Sequence, residues 1–178
     1  MDNIRILDKE FKLFITEEQI QETVREMALR MNQELKGKKV FLIGILNGCF
    51  MFVSDLVRNL DFDCTITFLK LASYQGTSST GKVKRLIGLN EDIKDQTVVI
   101  LEDIVDTGTT LDFIQKQLKG YEPAEIKVAT LLYKPEACRQ DVPLDYVGME
   151  IPDDFVVGYG LDYNGFGRNL RQIYTVIE

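Results

Sequence analysis

A continuous apolar run at residues 40–46 and two β-rich runs at 98–101 and 126–132 constrain the fold of this chain more than any other feature. The first, Val40-Phe41-Leu42-Ile43-Gly44-Ile45-Leu46, has no polar position to turn toward solvent, the pattern of a strand covered on both faces. Asn47-Gly48 breaks it, and residues 50–60 take up helical periodicity. The other two runs are equally β-rich, and between them Leu111, Ile114 and Leu118 recur at helical spacing before Gly120. Strands and helices alternating in this way imply an α/β fold: a mainly parallel twisted sheet flanked by helices and joined by right-handed crossovers.

Around this centre the pattern is weaker. Thr16-Glu17-Glu18-Gln19 reads as a capping box opening a helix whose apolar positions are Ile20, Val24, Met27, Met31 and Leu35, with Gly37 as its stop. Residues 65–71 alternate like another strand, and 146–149, 155–158 and 172–177 give short extended pieces. Residues 72–84 collect Ser, Thr, Gly and Lys with few apolar anchors, so a long mobile loop is expected there. For residues 4–14 packing is the only role assigned. With 178 residues and neither repeat nor linker, the expectation is a single domain over 1–178.

Charge and residue types exclude several classes of function. Lys+Arg of 21 against Asp+Glu of 28 gives a net charge of −7, which disfavours a broad footprint on nucleic acid or an anionic membrane. An anionic ligand would need a local pocket. Without any histidine, Ser-His and Cys-His catalysis and the usual Cys/His zinc site are excluded. Cys49, Cys64 and Cys138 are odd in number and sit in or beside apolar runs, as reduced thiols do. No apolar run approaches the ~20 residues needed to span a bilayer. A soluble, cytoplasmic enzyme is expected.

Ligands of doubly wound sheets bind beyond the carboxyl ends of the strands. The most informative such place is Val98-Val99-Ile100-Leu101-Glu102-Asp103-Ile104-Val105-Asp106-Thr107-Gly108-Thr109-Thr110-Leu111. Here a buried strand meets two adjacent carboxylates, a third, and then a small hydroxylated turn that opens a helix. Backbone N–H groups of such a turn, with the positive end of the helix dipole, make a phosphate cradle that Gly108 lets the chain approach closely. The carboxylates suit ribose hydroxyls and a hydrated Mg²⁺. Together these features point to a sugar phosphate. Taken alone, Asp106-Thr107-Gly108 is equally well a turn with an N-cap. A P-loop is excluded, because its Gly-Lys-Ser/Thr ending is missing.

The stretch from Leu101 to Leu111 resembles the phosphoribosyl-pyrophosphate motif of the type I phosphoribosyltransferases. Leu46-Asn47-Gly48, Ser73-Tyr74, Leu132-Tyr133-Lys134-Pro135 and Ile151-Pro152-Asp153-Asp154-Phe155-Val156-Val157-Gly158-Tyr159-Gly160-Leu161-Asp162-Tyr163 narrow the resemblance to the hypoxanthine-guanine phosphoribosyltransferases, in order and spacing over nearly the whole chain. The resemblance implies transfer of a phosphoribosyl group from phosphoribosyl pyrophosphate to a 6-oxopurine. It also implies a small hood built from both chain ends, a lid at 72–84 closing through Ser73 and Tyr74, and a homodimer or homotetramer.

Residue by residue, it makes Asp106 the general base for the purine N7 proton and sets Glu102 and Asp103 against the ribose hydroxyls. Thr107, Gly108, Thr109 and Thr110 would hold the 5′-phosphate, while Leu46, Asn47, Gly48 and Arg168 would meet the pyrophosphate. Lys134 would donate to the 6-oxo group, Phe155 would stack on the base, and Val156 would present backbone groups to its edge. Glu102, Asp103 and Asp162 would serve Mg²⁺. Family members often carry a basic residue and a non-proline cis peptide at the turn occupied by Asn47; asparagine departs from that, leaving backbone donors at Asn47 and Gly48. Without the resemblance, Lys134 reads as solvated surface, Phe155 and Val156 as strand core, and Asn47 as a strand terminator. Two rivals stand beside this reading: a xanthine- or adenine-preferring transferase, and a non-catalytic regulator that senses nucleotides or binds RNA.

Overall fold

The computed structural model describes residues 3–71, 86–87 and 89–177. The lid expected at 72–84, with Ser73 and Tyr74, lies outside the described residues. In chain order the elements are β1 (Ile4–Ile6), β2 (Lys9–Ile15), α1 (Glu17–Glu34), β3 (Val40–Leu46), α2 (Phe50–Val57), β4 (Cys64–Leu71), β5 (Leu86–Ile87), β6 (Thr97–Val105), α3 (Thr109–Lys119), β7 (Glu125–Tyr133), β8 (Tyr146–Glu150), β9 (Val156–Val157) and β10 (Ile173–Val176).

The main sheet runs β5-β4-β3-β6-β7-β8, parallel throughout except for antiparallel β5 at the edge. Its two faces explain why the β3 run has no polar position. Val40 and Leu42 join α1 and α2 in one core, together with Val99 and Leu101 of β6. Phe41, Ile43 and Ile45 point the other way, into a second core that α3 closes with Leu111, Ile114 and Leu118. Each large apolar side chain removed from water in this way contributes roughly 1.5–3 kcal/mol.

Helix α1 opens on the expected capping box: the Gln19 backbone N–H donates to Thr16 Oγ1 at 3.3 Å, and the Thr16 N–H donates to Gln19 Oε1 at 2.9 Å. Its apolar stripe, Ile20, Val24, Met27, Ala28 and Met31, is buried. Helix α2 stops at Val57, short of the expected residue 60. The N–H groups of Asn59 and Leu60 turn back to the carbonyls of Leu56 and Val57, tightening the last turn to an i→i−3 pattern.

The strand expected at 98–101 is longer than predicted, continuing as β6 through Val105. Its neighbour keeps pairing with it, Glu102 opposite Thr130, Ile104 opposite Leu132 and Val105 opposite Tyr133. The carboxylates of Glu102 and Asp103 therefore project from a strand, not from a turn. Conversely, the extended piece at 155–158 shrinks to Val156–Val157.

A second, antiparallel sheet of order β1-β2-β10-β9 joins both chain ends, the hood that the resemblance implies. Residues 4–14, given no role beyond packing, supply its outer hairpin. The pairing of β3 with β6 ends at Gly44 opposite Leu101, whereas β3 continues beside β4 to Leu46 opposite Lys70. The sequence neighbour of β3 thus lies on one side and β6 on the other, and the two strands part at their carboxyl ends. That is the position at which an α/β sheet opens a crevice for a ligand.

Candidate active site

A cavity of about 370 Å³ occupies that crevice. Its lining includes Leu46, Asn47, Gly48, Glu102, Asp103, Asp106, Thr107, Gly108, Thr110, Asp162 and Arg168 from the residues expected on sequence grounds. Thr109 is not part of the lining; it begins α3 and takes a 3.2 Å hydrogen bond from the Thr107 hydroxyl. The Leu46–Asn47 peptide is cis.

Two glycines set the shape of the crevice by what they lack. A Cβ on Gly48 would lie 1.6 Å from Asp103 Oδ2, and one on Gly160, at φ +99°, would lie 1.9 Å from the Gly48 carbonyl oxygen. The hood turn at Gly160 is thereby seated on the loop after β3. Gly108, at φ +78°, is the N-cap of α3, and a Cβ there would crowd Cys138 Sγ and Gln140 at 3.1 Å. Its glycine character answers to the protein's own neighbouring loop as much as to any ligand.

Glu102 is 6% exposed, and burial, with the charge of Asp103 beside it, pushes its carboxyl well above the usual range. Burial also lifts Asp103 to about 6, against the 3.0 Å hydrogen bond from the Ile104 N–H and the charge of Arg168. The pair, only partly offset by Arg168, presents hard oxygen donors to the cavity, which suits hydroxyl groups or a hydrated divalent cation. Asp162 is engaged elsewhere: it pairs with Arg168 at 2.6 Å and accepts from the Gly165 N–H at 2.7 Å. Glu102, Asp103 and Asp162 line the same cavity, though among the described residues no group of three or more His, Cys, Asp or Glu side chains is arranged to hold a metal ion. Cys49 lies beneath the pair, fully buried; burial and then the charges of Asp103 and Glu102 push its thiol to about 12, leaving it unreactive.

A smaller cavity of about 180 Å³ adjoins the first and brings in Lys134, Phe155 and Val156. The Lys134 ammonium stands 3.5 Å from Asp106 Oδ2 and 3.2 Å from Asp153 Oδ1. Phe155, outside β9 and 45% exposed, is backed by Tyr163 edge-on at 5.8 Å and by Phe11 at 6.3 Å. It is an exposed ring held by other rings, unlike the strand-core residue that the segment suggests alone. Asp153 escaped the sequence reading, since nothing in the spacing separates it from Asp154.

Comparison with known proteins matches these features to one family. Residues 15–164 match the family model for the phosphoribosyl transferase domain. A curated hypoxanthine-guanine phosphoribosyltransferase of Staphylococcus aureus is 41% identical over 166 residues, covering 93% of each chain. The chain belongs to the hypoxanthine-guanine phosphoribosyltransferase family. A crystal structure of such a phosphoribosyltransferase from Bacillus anthracis, with HEPES in its active site, superimposes with a TM-score of 0.86 at 40% identity, over 94% of this chain and 97% of that one. A hypoxanthine phosphoribosyl transferase of Trypanosoma cruzi gives a TM-score of 0.87 at 35% identity, over 98% and 95% of the two chains. The phosphoribosyltransferase fold, a parallel five-strand sheet flanked by helices, is thus shared across the family.

Proposed function

We propose that this enzyme transfers the 5-phosphoribosyl group from phosphoribosyl pyrophosphate to hypoxanthine or guanine, giving IMP or GMP and pyrophosphate, in cytoplasmic purine salvage. The observation that carries this reading is the meeting of the two cavities at Asp106. They share Asp103, Ile104, Asp106, Asp162 and Arg168, so a sugar phosphate in the larger and a base in the smaller would face each other across one carboxylate.

The roles follow from position. In the larger cavity Thr107, Gly108 and Thr110, around the start of α3, offer hydroxyl and backbone donors to the 5′-phosphate, and Thr109, whose N–H is directed at Thr107 Oγ1, would hold that turn in shape. Asn47, Gly48 and Arg168 line the same cavity and would meet the pyrophosphate. In the smaller cavity Phe155 offers a ring face to the purine, Val156 its backbone and Lys134 a donor to the 6-oxo group, which selects oxopurines over adenine. As the bond from C1′ to the pyrophosphate oxygen breaks and the purine N9 bond forms, Asp106 accepts the N7 proton. Glu102 and Asp103 hold the ribose hydroxyls, and their negative charge favours a cation-like C1′.

Mg²⁺ would fit the carboxylates of Glu102 and Asp103, with Asp162, now paired with Arg168, as the third residue that would hold it. When bound, it supplies neutralisation of the pyrophosphate charge, keeping most of its waters and taking few protein ligands.

Three further expectations complete the reading. The chain acts as one domain over 1–178, it assembles as a homodimer or homotetramer, and its acidic charge gives nucleic acid no footprint. Among the described residues no helix is long and apolar enough to cross a membrane.

The test is pyrophosphate release from phosphoribosyl pyrophosphate and Mg²⁺ with hypoxanthine, guanine, xanthine or adenine, for the parent enzyme and Asp106→Ala. Turnover with oxopurines, lowered about 10²–10⁴-fold in Asp106→Ala, is expected. Silence with all four bases from folded protein that still binds phosphoribosyl pyrophosphate would remove the transferase reading, and RNA binding would then favour a regulator.

A further inference from the structure

Lys134 of the base cavity is paired with two carboxylates, Asp106 in the cavity lining and Asp153 beside it, and the second has no role in the chemistry so far. Lys134 follows β7, Asp106 follows β6 and Asp153 follows β8, so the ends of three adjacent strands bring the groups into a row. The Lys134 side chain is 8% exposed, whereas those of Asp106 and Asp153 are 50% and 59% exposed. A buried ammonium must keep a counter-charge, because leaving it unpaired is far costlier than leaving either half-exposed carboxylate unpaired.

Both the lysine and its second partner are firmly mounted. The Lys134 N–H donates to the Val105 carbonyl at 3.0 Å, and the Lys134 carbonyl accepts from Ala137 and Cys138 at 3.2 and 3.1 Å. The N–H of Ile151, two residues before Asp153, donates to the Tyr133 carbonyl at 2.8 Å, fastening the β8 end to the β7 end. Lys134 is thus fastened by backbone to the β6 end through Val105, and Tyr133 just before it to the β8 end through Ile151, and its ammonium sits between a carboxylate from each neighbouring strand end.

We propose that Asp153 is a positioning residue: it keeps the Lys134 ammonium paired when the purine arrives, so that Asp106 is released to the N7 proton and Lys134 is aimed at the 6-oxo group. This rests on the assignment of the smaller cavity to the base. With Asp106 as its sole partner, Lys134 would hold the very carboxylate that must accept a proton, and the incoming base would have to break that pair. An ammonium has three N–H donors. Asp153 takes one, and Asp106 can hand another to the oxo group without stranding a buried charge.

The experiment is steady-state kinetics on the full-length chain with Mg²⁺, varying hypoxanthine and phosphoribosyl pyrophosphate separately. Asp153→Asn, which removes the charge at constant shape, is expected to raise the KM for hypoxanthine about tenfold and to move the KM for phosphoribosyl pyrophosphate less than about twofold. Asp153→Ser is expected to do the same, Asp153→Glu to restore most of the loss, and Asp154→Asn, which removes an equal charge with no hydrogen bond or ion pair among the described residues, to change neither. Measured against Lys134→Gln alone, adding Asp153→Asn is expected to leave the KM for hypoxanthine unchanged, since the effect runs through the lysine. The proposal falls if both Asp153 variants behave like Asp154→Asn, if both KM values rise together, or if the effect persists in Lys134→Gln. Absence of oxopurine turnover in the parent would instead remove the assignment of the base cavity, a separate failure.

Discussion

Gly48 shows how little room the site leaves at the scale of one residue. Its missing side chain is replaced by the Asp103 carboxylate, and its carbonyl is capped by Gly160. Gly48→Ala is expected to leave the fold intact while forcing Asp103 aside, an overpacking penalty of about 1–3 kcal/mol that falls on the ligand rather than on the core. In steady-state kinetics the KM for phosphoribosyl pyrophosphate should rise roughly tenfold or more, with the thermal midpoint little changed; a large fall in midpoint with unaltered KM would contradict the geometry. At this scale the sequence was informative where residues act through the local chain. Asp106, Thr107 and Gly108 stand where their order implies, because a strand-turn-helix unit sets their relative placement. Thr109 turned out to lie off the cavity lining, since the first turn of a helix presents its residues in different directions, and Asp153 became visible only once β7 and β8 were side by side.

Between elements, the most telling contact ties α1, α2 and the hood. Asp55 of α2 accepts from the Tyr159 hydroxyl and from Gln21 Nε2 of α1, each at 2.6 Å, and pairs with Arg58. Burial pushes the Asp55 carboxyl up, but the hydrogen bonds from Tyr159, Gln21 and Arg58 outweigh it and hold it below the ordinary aspartate value. On acidification the unfolded chain therefore takes the proton first. The stabilisation is complete above the ordinary value of about 4 and is lost as pH falls through the lower native value. Asp55→Asn should cost about 1–2 kcal/mol in urea denaturation at neutral pH, and the gap from the parent should shrink at pH about 3; an unchanged gap would show that the charge is irrelevant. Strand β3 was legible because its composition allows no solvent face, and β7 because β-rich residues dominate it despite Lys127 and Thr130. The length of β6 was not, because Glu102 and Asp103 look like a strand ending until a neighbour pairs with them. The β1–β2 hairpin did carry an alternation, Phe11, Leu13 and Ile15, but the charged residues around it masked the period.

On the scale of the whole molecule, the two sheets divide the proposed substrates between them. The phosphate turn and the β3 loop belong to the main sheet, while Phe155 belongs to the hood, held there by Tyr163 and by the buried Phe11. Phe155→Ala should raise the KM for hypoxanthine at least about tenfold, the scale of a base-stacking contact, with the KM for phosphoribosyl pyrophosphate within about twofold. Equal movement of both would mean that the hood shapes the whole site. The parting of β3 from β6 after Leu101 has one more consequence. From Glu102 onward β6 is braced along one flank only, by β7, like a shelf fixed to a single wall. The floor of the crevice is therefore a strand edge rather than a loop, stiffened from one side and open on the side where the turn at Asn47 and Gly48 faces it.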